Sequence, residues 1–406
     1  MTKTPNTHVL ILSSTFPRWV NDDEPPFVYE LSKRLTKEFE CTVLAPHTPN
    51  AKKNEDFDNL HVIRFQYLPK KLQTLAYEGG ILPKLKQNKL YYLQVPFFLT
   101  AQLFSTIKIL KNNSIDLIHA HWVIPQGLIA LLARKVLRNK IPILCTLHGG
   151  DLYGLKGSIL DKLKIYILKQ SNGITVVSNT MKNDLINYGI HQSKIMVIPM
   201  GVDLRHNFTP TQAIKRIPHT ILFVGRLVEK KGVKYLLNAI PEIIKHIPDA
   251  RCTIAGSGPD ETDLKNLASK LSINNKVNFL GTITNKDLPA LFNQHSIIVF
   301  PSIIASSGDQ EGFGLVLVEA LGCECPIVAT DLPAIHDIIT HNKTAVITRP
   351  KDPAALADAV VKLMLDHEFA EKLGKEGRRY VLDKFDWDII SKRYVAYINT
   401  LLNNNE

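Results

Sequence analysis

Short, unbroken apolar runs alternate with helical patterns along the whole chain, and the rhythm restarts halfway. Residues 8–13, 41–45, 61–65, 116–120, 141–147, 174–177 and 195–198 read as strands. Residues 27–39 (with Pro26 near the first turn), 91–110 and 128–137 read as helices between them. A polar stretch at 204–218, rich in Thr, Asn and Pro, reads as a linker. Beyond it come strands at 220–224, 251–255, 277–280, 297–300, 326–329 and 345–347, with helices at 233–246, 264–271, 288–294 and 353–365. Strands that are apolar at every position bury both faces, which calls for a parallel sheet covered by helices on each side. The expectation is α/β: two doubly wound, Rossmann-like parallel-sheet domains facing a cleft. Residues 1–205 form the first, 206–385 the second, and 386–406 hold a last helix set to pack back on the first. Ligands of such sheets sit at the carboxyl ends of the strands.

With 406 residues, 45% hydrophobic and 21% charged, the chain suffices for two cores. Its apolar stretches are too short or too interrupted for a membrane span, and residues 1–7 lack the apolar core of a signal peptide, so the expected location is the cytoplasm. Five scattered cysteines read as buried, reduced thiols. The formal net charge is +11, yet no nucleic-acid-binding module accompanies it, and nucleic acid is not expected as a partner. Lys70, Lys71, Lys84, Lys86 and Lys89 stand against one acid, Glu78, with leucines and tyrosines interleaved. That mixture suits a peripheral contact with an anionic membrane surface. The alternative is a solvated basic face over a small core.

Residues 309–319 read Asp-Gln-Glu-Gly-Phe-Gly-Leu-Val-Leu-Val-Glu. Two carboxylates, Glu311 and Glu319, bracket the turn Gly312, Phe313, Gly314 and an apolar run from Leu315. The run follows the strand at 296–301 and reads as a helix start. Free N–H groups and a positive dipole end make such a start an anion site. Carboxylates repel phosphate, so these two are expected to accept hydrogen bonds from hydroxyls. A diphosphate with many hydroxyls describes a nucleotide-sugar. Upstream, the strand at 220–224 ends in Gly225, Arg226 and, after four residues, Lys231 and Gly232. Guanidinium and ammonium there are suited to phosphate. The next strand ends in another glycine turn, Gly256 to Asp260, weak evidence by itself.

In the first half, the strand at 141–147 ends in His148-Gly149-Gly150-Asp151. The glycines permit close approach of a ligand to backbone. His148 is suited to donate to a sugar hydroxyl or to handle a proton, or else to be satisfied by a neighbouring carbonyl. His119 and His121 share a strand face but lack a third ligand at metal spacing, and no metal is expected.

The order His-Gly-Gly-Asp, Gly-Arg-Leu-x-x-x-Lys-Gly, Ala-Gly-x-Gly-Pro, Glu-Gly-Phe-Gly-Leu-x-x-x-Glu covers nearly the whole chain. It resembles the retaining glycosyltransferases of family 4, which have the two-domain GT-B fold. The resemblance implies transfer of a hexosyl group from a nucleoside-diphosphate sugar to an acceptor hydroxyl, on a lipid-linked or polysaccharide-precursor glycan, without cofactor or metal. It implies that Glu311 bonds hydroxyls of the transferred sugar, that the backbone of Gly312, Phe313, Gly314 and Leu315 holds sugar and diphosphate, and that Glu319 accepts from the ribose. Arg226 and Lys231, after Gly225, would neutralise the leaving diphosphate. His148 would contact the sugar near the reacting carbon, with Asp151 orienting it or meeting the acceptor. One departure stands out. Many members carry a Gly-Gly loop after the first strand. Here the region reads Ser14 to Trp19, then Glu24-Pro25-Pro26-Phe27, similar to a bacterial branch making surface polysaccharides, with Arg18 a candidate for part of the loop's role. Two rival functions fit some of these features: a nucleotide-sugar epimerase on a similar scaffold, and a basic binding protein with no use for the acid pair. A pyridoxal-phosphate phosphorylase would need a Schiff-base lysine that the sequence does not mark.

Overall fold

The computed structural model describes residues 7–19, 22, 27–77, 80–155 and 157–404. Glu24, Pro25, Pro26 and Glu78 lie outside them. The chain divides into two compact units: Met1–Pro199 with Ile390–Glu406, and Met200–Ile389.

In the first unit the strands are β1 (His8–Leu12), β2 (Glu40–Pro46), β3 (Asn54–Phe57), β4 (Leu60–Phe65), β5 (Leu117–His121), β6 (Ile143–Leu147), β7 (Gly173–Val176) and β8 (Ile195–Val197). The helices are α1 (Phe27–Leu35), α2 (Ile81–Gln87), α3 (Val95–Asn112), α4 (Leu128–Leu137), α5 (Ser158–Gln170) and α6 (Asn179–Asn187). Among the described residues the sheet order is β3-β4-β2-β1-β5-β6-β7-β8. All pairings are parallel except β3 with β4. β1, β5, β6 and β7 are buried at every position, including His119, His121, Thr146 and Thr175, which interrupt their otherwise apolar runs. Burying one such leucine or isoleucine contributes about 1.5–3 kcal/mol. The order reverses between β1 and β5, which makes their carboxyl ends the switch point where doubly wound sheets bind ligands.

The second unit repeats the plan with β9 (Ile217–Val224), β10 (Arg251–Ala255), β11 (Val277–Gly281), β12 (His295–Phe300), β13 (Ile327–Thr330) and β14 (Val346–Thr348). Its helices are α7 (Val233–His246), α8 (Glu261–Lys270), α9 (Leu288–Gln294), α10 (Leu315–Gly322), α11 (Pro353–Leu365) and α12 (His367–Phe385). The sheet is all parallel, in the order β11-β10-β9-β12-β13-β14, and its switch point lies between β9 and β12. The last helix, α13 (Trp387–Asn403), starts in the second unit and from Ile390 belongs to the first.

Three features differ from the sequence expectation. The stretch at 204–218 is no free linker. Leu204 and Phe208 are buried, and Arg378 reaches the carbonyls of both. The units divide instead after Pro199. β3 is an antiparallel edge strand whose polar sequence, Asn-Glu-Asp-Phe, hides it. α12 follows α11 with no glycine or proline between them. Its start is set by Asp366, whose carboxylate accepts from Phe369 N at 3.0 Å, a side-chain cap.

A buried polar chain crosses the first sheet. His119 Nε2 meets Thr146 Oγ1 at 2.8 Å, Thr146 meets Thr175 at 2.5 Å, and Thr175 lies 3.4 Å from the Tyr394 hydroxyl on α13. Tyr397 adds a bond from Ile174 N at 3.3 Å. His119 is fully buried, and burial pushes its imidazole down to about 3. In the unfolded chain it protonates near 6.5. Between those values the unfolded state binds more protons, so this stability is complete above pH 6.5 and is lost as pH falls. The wild-type urea midpoint is expected to drop on acidification from pH 6.5 to 5, with His119 contributing about 2 kcal/mol. His119→Gln should show a shallower fall, and an unchanged slope would remove His119 from the account.

Candidate active site

The carboxyl ends of β9 and β12, neighbours at the second switch point, carry the acids and cations singled out above. The loop after β9 runs from Gly225 into a short turn, Glu229–Lys231, and then Gly232. Gly232 has φ 66°, and a Cβ there would stand 1.9 Å from the Pro301 carbonyl oxygen at the end of β12. No side chain fits, so the two loops close on each other. Three consecutive residues then fasten the loop after β12. Glu229 accepts from Ser306 N at 3.0 Å and Oγ at 2.9 Å. Lys230 Nζ lies 3.2 Å from Asp309 Oδ1 and 3.3 Å from the Gln310 carbonyl. Lys231 Nζ lies 3.0 Å from Glu311 Oε1. The glycine turn after β10 supports this frame from behind, with Leu227 N on the Ser257 carbonyl at 2.9 Å.

Glu311 is buried, and its Oε1 makes the ion pair but no well-angled hydrogen bond among the described residues. Burial raises its carboxyl, yet Lys231 and Lys230 outweigh that and hold it below the usual range. It is a carboxylate with accepting capacity to spare. Gly314, at φ 101°, turns the chain into α10 with no side-chain cap, leaving the first N–H groups of the helix for another acceptor. Phe313 faces inward against Phe385, with ring centroids 5.5 Å apart, so only its backbone lies with the glycines. Glu319 sits one turn into α10. Its carboxyl is enclosed, and burial pushes it up to about 7 against the opposing pull of Lys231. Arg226 is exposed and has no side-chain hydrogen bond or ion pair among the described residues. Arg226 as a cation without a partner among the described residues, and the start of α10 as a helix end without a side-chain cap, are each of the kind suited to an anion.

The first unit gathers His121, His148, Trp122 and Phe27 at the ends of β5, β6 and the start of α1. His121 Nδ1 and His148 Nε2 are 3.0 Å apart with their rings stacked at 5.3 Å. Trp122 and Phe27 lie against the His148 ring at 5.0 and 4.8 Å. Burial pushes His148 down to about 3 and His121 well below its ordinary value, so both are neutral at physiological pH. His148 Nδ1 has no hydrogen-bond partner among the described residues. Asp151 is buried. One of its oxygens accepts from Val123 N and the other from His148 N, each at 3.1 Å. Burial raises its carboxyl, and the N–H groups of Val123 and His148 draw it back. It clamps the loop after β5 to the loop after β6.

Some sequence readings need correction. Arg18 is not a spare cation: its guanidinium pairs with Asp22 at 2.9 and 2.6 Å and lies over Trp19. Lys84 does not face outward: it is buried, with Nζ on the Thr74 carbonyl at 2.7 Å, while Lys70, Lys71, Lys86 and Lys89 are exposed. Sequence reasoning missed Glu229 and Lys230 as fasteners, and weighed His121 only as a metal ligand. Pairing across loops leaves no mark on spacing. Among the described residues no three His, Cys, Asp or Glu side chains cluster as a metal site.

The Glycosyltransferase Family 4 pattern matches residues 26–206, and that of the glycosyl transferases group 1 matches residues 206–380. The N-acetyl-alpha-D-glucosaminyl L-malate synthase of Bacillus anthracis is 24% identical over 327 residues, 79% of this chain and 84% of that protein. A GDP-mannose-dependent alpha-(1-6)-phosphatidylinositol monomannoside mannosyltransferase of Mycobacterium tuberculosis is 25% identical over 72% of this chain and 77% of its own. Among solved structures, a sucrose-phosphate synthase from Thermosynechococcus elongatus shares the fold with a TM-score of 0.78 at 20% identity, covering 98% of this chain and all of that one. Anabaena HepE, solved with UDP and glucose, has a TM-score of 0.71 at 17% identity, over 96% and 99% of the two chains. With the two patterns joined across residues 26–380 and both sheets doubly wound, this chain belongs to the family 4 glycosyltransferases of GT-B fold.

Proposed function

We propose that the chain moves a hexosyl group from a nucleoside-diphosphate sugar to an acceptor hydroxyl and keeps the anomeric configuration. The observation that carries this reading is the second switch point: unpaired Arg226, the uncapped start of α10, and Glu311 held ionised by Lys231. Anion-binding and hydroxyl-binding groups side by side match a sugar diphosphate. The HepE structure with UDP and glucose, on the same fold, favours the same donor class.

In the proposed reaction the bond from the anomeric carbon to the diphosphate oxygen breaks, and a bond to the acceptor oxygen forms on the same face. The acceptor's proton passes to the departing phosphate oxygen. Negative charge grows on the diphosphate, and Arg226, Lys231 and the Gly312–Leu315 backbone stabilise it, which is where fixed cations and dipoles act most strongly. Glu311 orients sugar hydroxyls, and Glu319 accepts from the ribose. From the first unit, neutral His148 offers Nδ1 to the sugar, and Asp151 is a positioning residue that sets the His148 loop. These groups supply the charge neutralisation in the proposal, and no divalent metal is assigned a part. The acceptor we favour is a lipid-linked or polysaccharide-precursor glycan at the cytoplasmic face of a membrane. The named activity of the mycobacterial relative, on a phosphatidylinositol mannoside, supports that class.

Arg226→Ala and Lys231→Ala are each expected to lower turnover by ~10²–10³, and Glu311→Ala to abolish most transfer while donor incubated alone gives no epimer. Wild-type turnover in the Glu311 variant would remove its role. A chelator should leave the rate unchanged, and abolition by chelator would overturn the metal-free mechanism. Glu319 adds a pH signature. It is ionised above about 7, so donor affinity should weaken by about fivefold as pH falls below 7, the difference between a charged and a neutral acceptor. Glu319→Gln should give a flat affinity profile in calorimetry, and a profile parallel to wild type would refute the assignment.

A further inference from the structure

We propose that the outward face of α3, with the turn before it, docks on an anionic phospholipid bilayer and lies in the plane of its surface. Leu90, Leu93, Phe97 and Phe104 are 69%, 69%, 54% and 70% exposed. Their spacing of three, four and seven residues makes one stripe along a helix. Isolated exposed leucines are ordinary, but a continuous apolar stripe of this size marks an interaction site. The stripe continues into Lys108 and Lys111, both exposed, and is preceded by exposed Lys86 and Lys89. Cations therefore stand at both ends of an apolar strip about 30 Å long. Lysine stems can lie along the acyl boundary while their ammonium groups reach headgroup phosphates.

Charge selects the occupant. Between residues 70 and 150 the sequence holds eleven Lys and Arg against two acids, Glu78 and Asp116, which accounts for nine of the chain's eleven net positive charges. A second copy of this face would meet it with like charge. Nucleic acid would leave the leucines and phenylalanines without a function. An anionic bilayer satisfies both the apolar stripe and its cationic ends.

The helix docks without crossing. Against the sequence expectation that its apolar stretches are too short or interrupted to span, the segment Lys89–Asn112 reaches a mean hydropathy of 1.3 over an 18-residue window, enough by length and composition to do so. However, Phe98, Gln102, Thr106 and Ile109 on its inner face are buried in the first unit, so only the outer face is available. This inference stands without the donor assignment, because neither donor nor acceptor enters its test.

The test is co-sedimentation of the full chain with phosphatidylcholine vesicles, with and without phosphatidylglycerol. Binding is expected only with phosphatidylglycerol and should weaken as salt rises. Replacing Lys86, Lys89, Lys108 and Lys111 by Gln should weaken it by about fivefold per lysine. The double variant Phe97→Ser, Phe104→Ser should weaken it at least about tenfold, with the circular dichroism spectrum and thermal unfolding midpoint of the wild type. Failure of the wild type to bind, equal binding to both vesicles, or unaltered binding by either variant would overturn the proposal. So would a wild-type dimer in sedimentation velocity that the phenylalanine variant converts to monomer.

Discussion

The Lys231–Glu311 ion pair ties the loop after β9 to the loop after β12, and the proposed reaction depends on the spacing it sets. Both side chains are largely withdrawn from water. Desolvation of two such charges roughly cancels their attraction, so the pair contributes little to stability as a pair. Removing one partner is another matter, since it strands a buried charge at a cost of about 3–5 kcal/mol. The arrangement therefore constrains more than it stabilises. Glu229 and Lys230 share the constraint through Ser306 and Asp309. Gly232 makes it possible, because any side chain would drive the loops apart at Pro301. Among the described residues Arg226 stays outside this network with its guanidinium uncommitted, whereas in the proposed reaction Lys231 serves both Glu311 and the diphosphate.

The first unit solves a different problem. Three histidines, His119, His121 and His148, lie in succession, with rings 4.3 Å apart between the first two and 5.3 Å between the last two. Charged, they would repel one another. Burial keeps them neutral, and a neutral imidazole that accepts at one nitrogen must donate at the other. The contact between His121 Nδ1 and His148 Nε2 thus couples the tautomers of the two rings. Asp151 sets the His148 backbone without touching its ring, so its effect on chemistry passes through loop position.

The sheets were legible because burial on both faces writes itself as unbroken apolar runs. β1, β5, β6, β9 and β12 fall within a residue or two of their expected places at nearly every end. β3 was hidden because it is a four-residue edge strand exposed on one face and only half-buried on the other, with Phe57 its one apolar residue. The stretch at 204–218 looked like a linker because its composition is polar, yet two anchors, Leu204 and Phe208, suffice to dock it. At the site, residue types and strand-end placement pointed to Glu311, Arg226, Lys231 and His148. What spacing could not express was partnership. Lys84 and Arg18 looked free until their acceptors, Thr74 and Asp22, appeared beside them. Asp151 could be read either as orienting or as meeting the acceptor, because an acid beside a histidine is the same text whether it faces a ligand or the backbone; its bonds run to the N–H groups of Val123 and His148.

α3 shows how far such partnership can invert a pattern. Its buried face carries Gln102, whose amide has no partner among the described residues, and Thr106, bonded only to the carbonyl a turn below. Its exposed face carries Phe97 and Phe104. In water that choice loses twice, through an unmet buried amide and through two wetted rings. Placing Gln102 and Thr106 outward and Phe97 and Phe104 inward would recover both terms and keep Phe98, Ile109 and Leu110 buried, and a helix selected only for stability in water would favour that order. The inversion is consistent if the outer face meets a medium other than water. The same condition explains why the cations of this region stand at the ends of the stripe rather than along it, where they would hold an apolar surface away from the phase it fits.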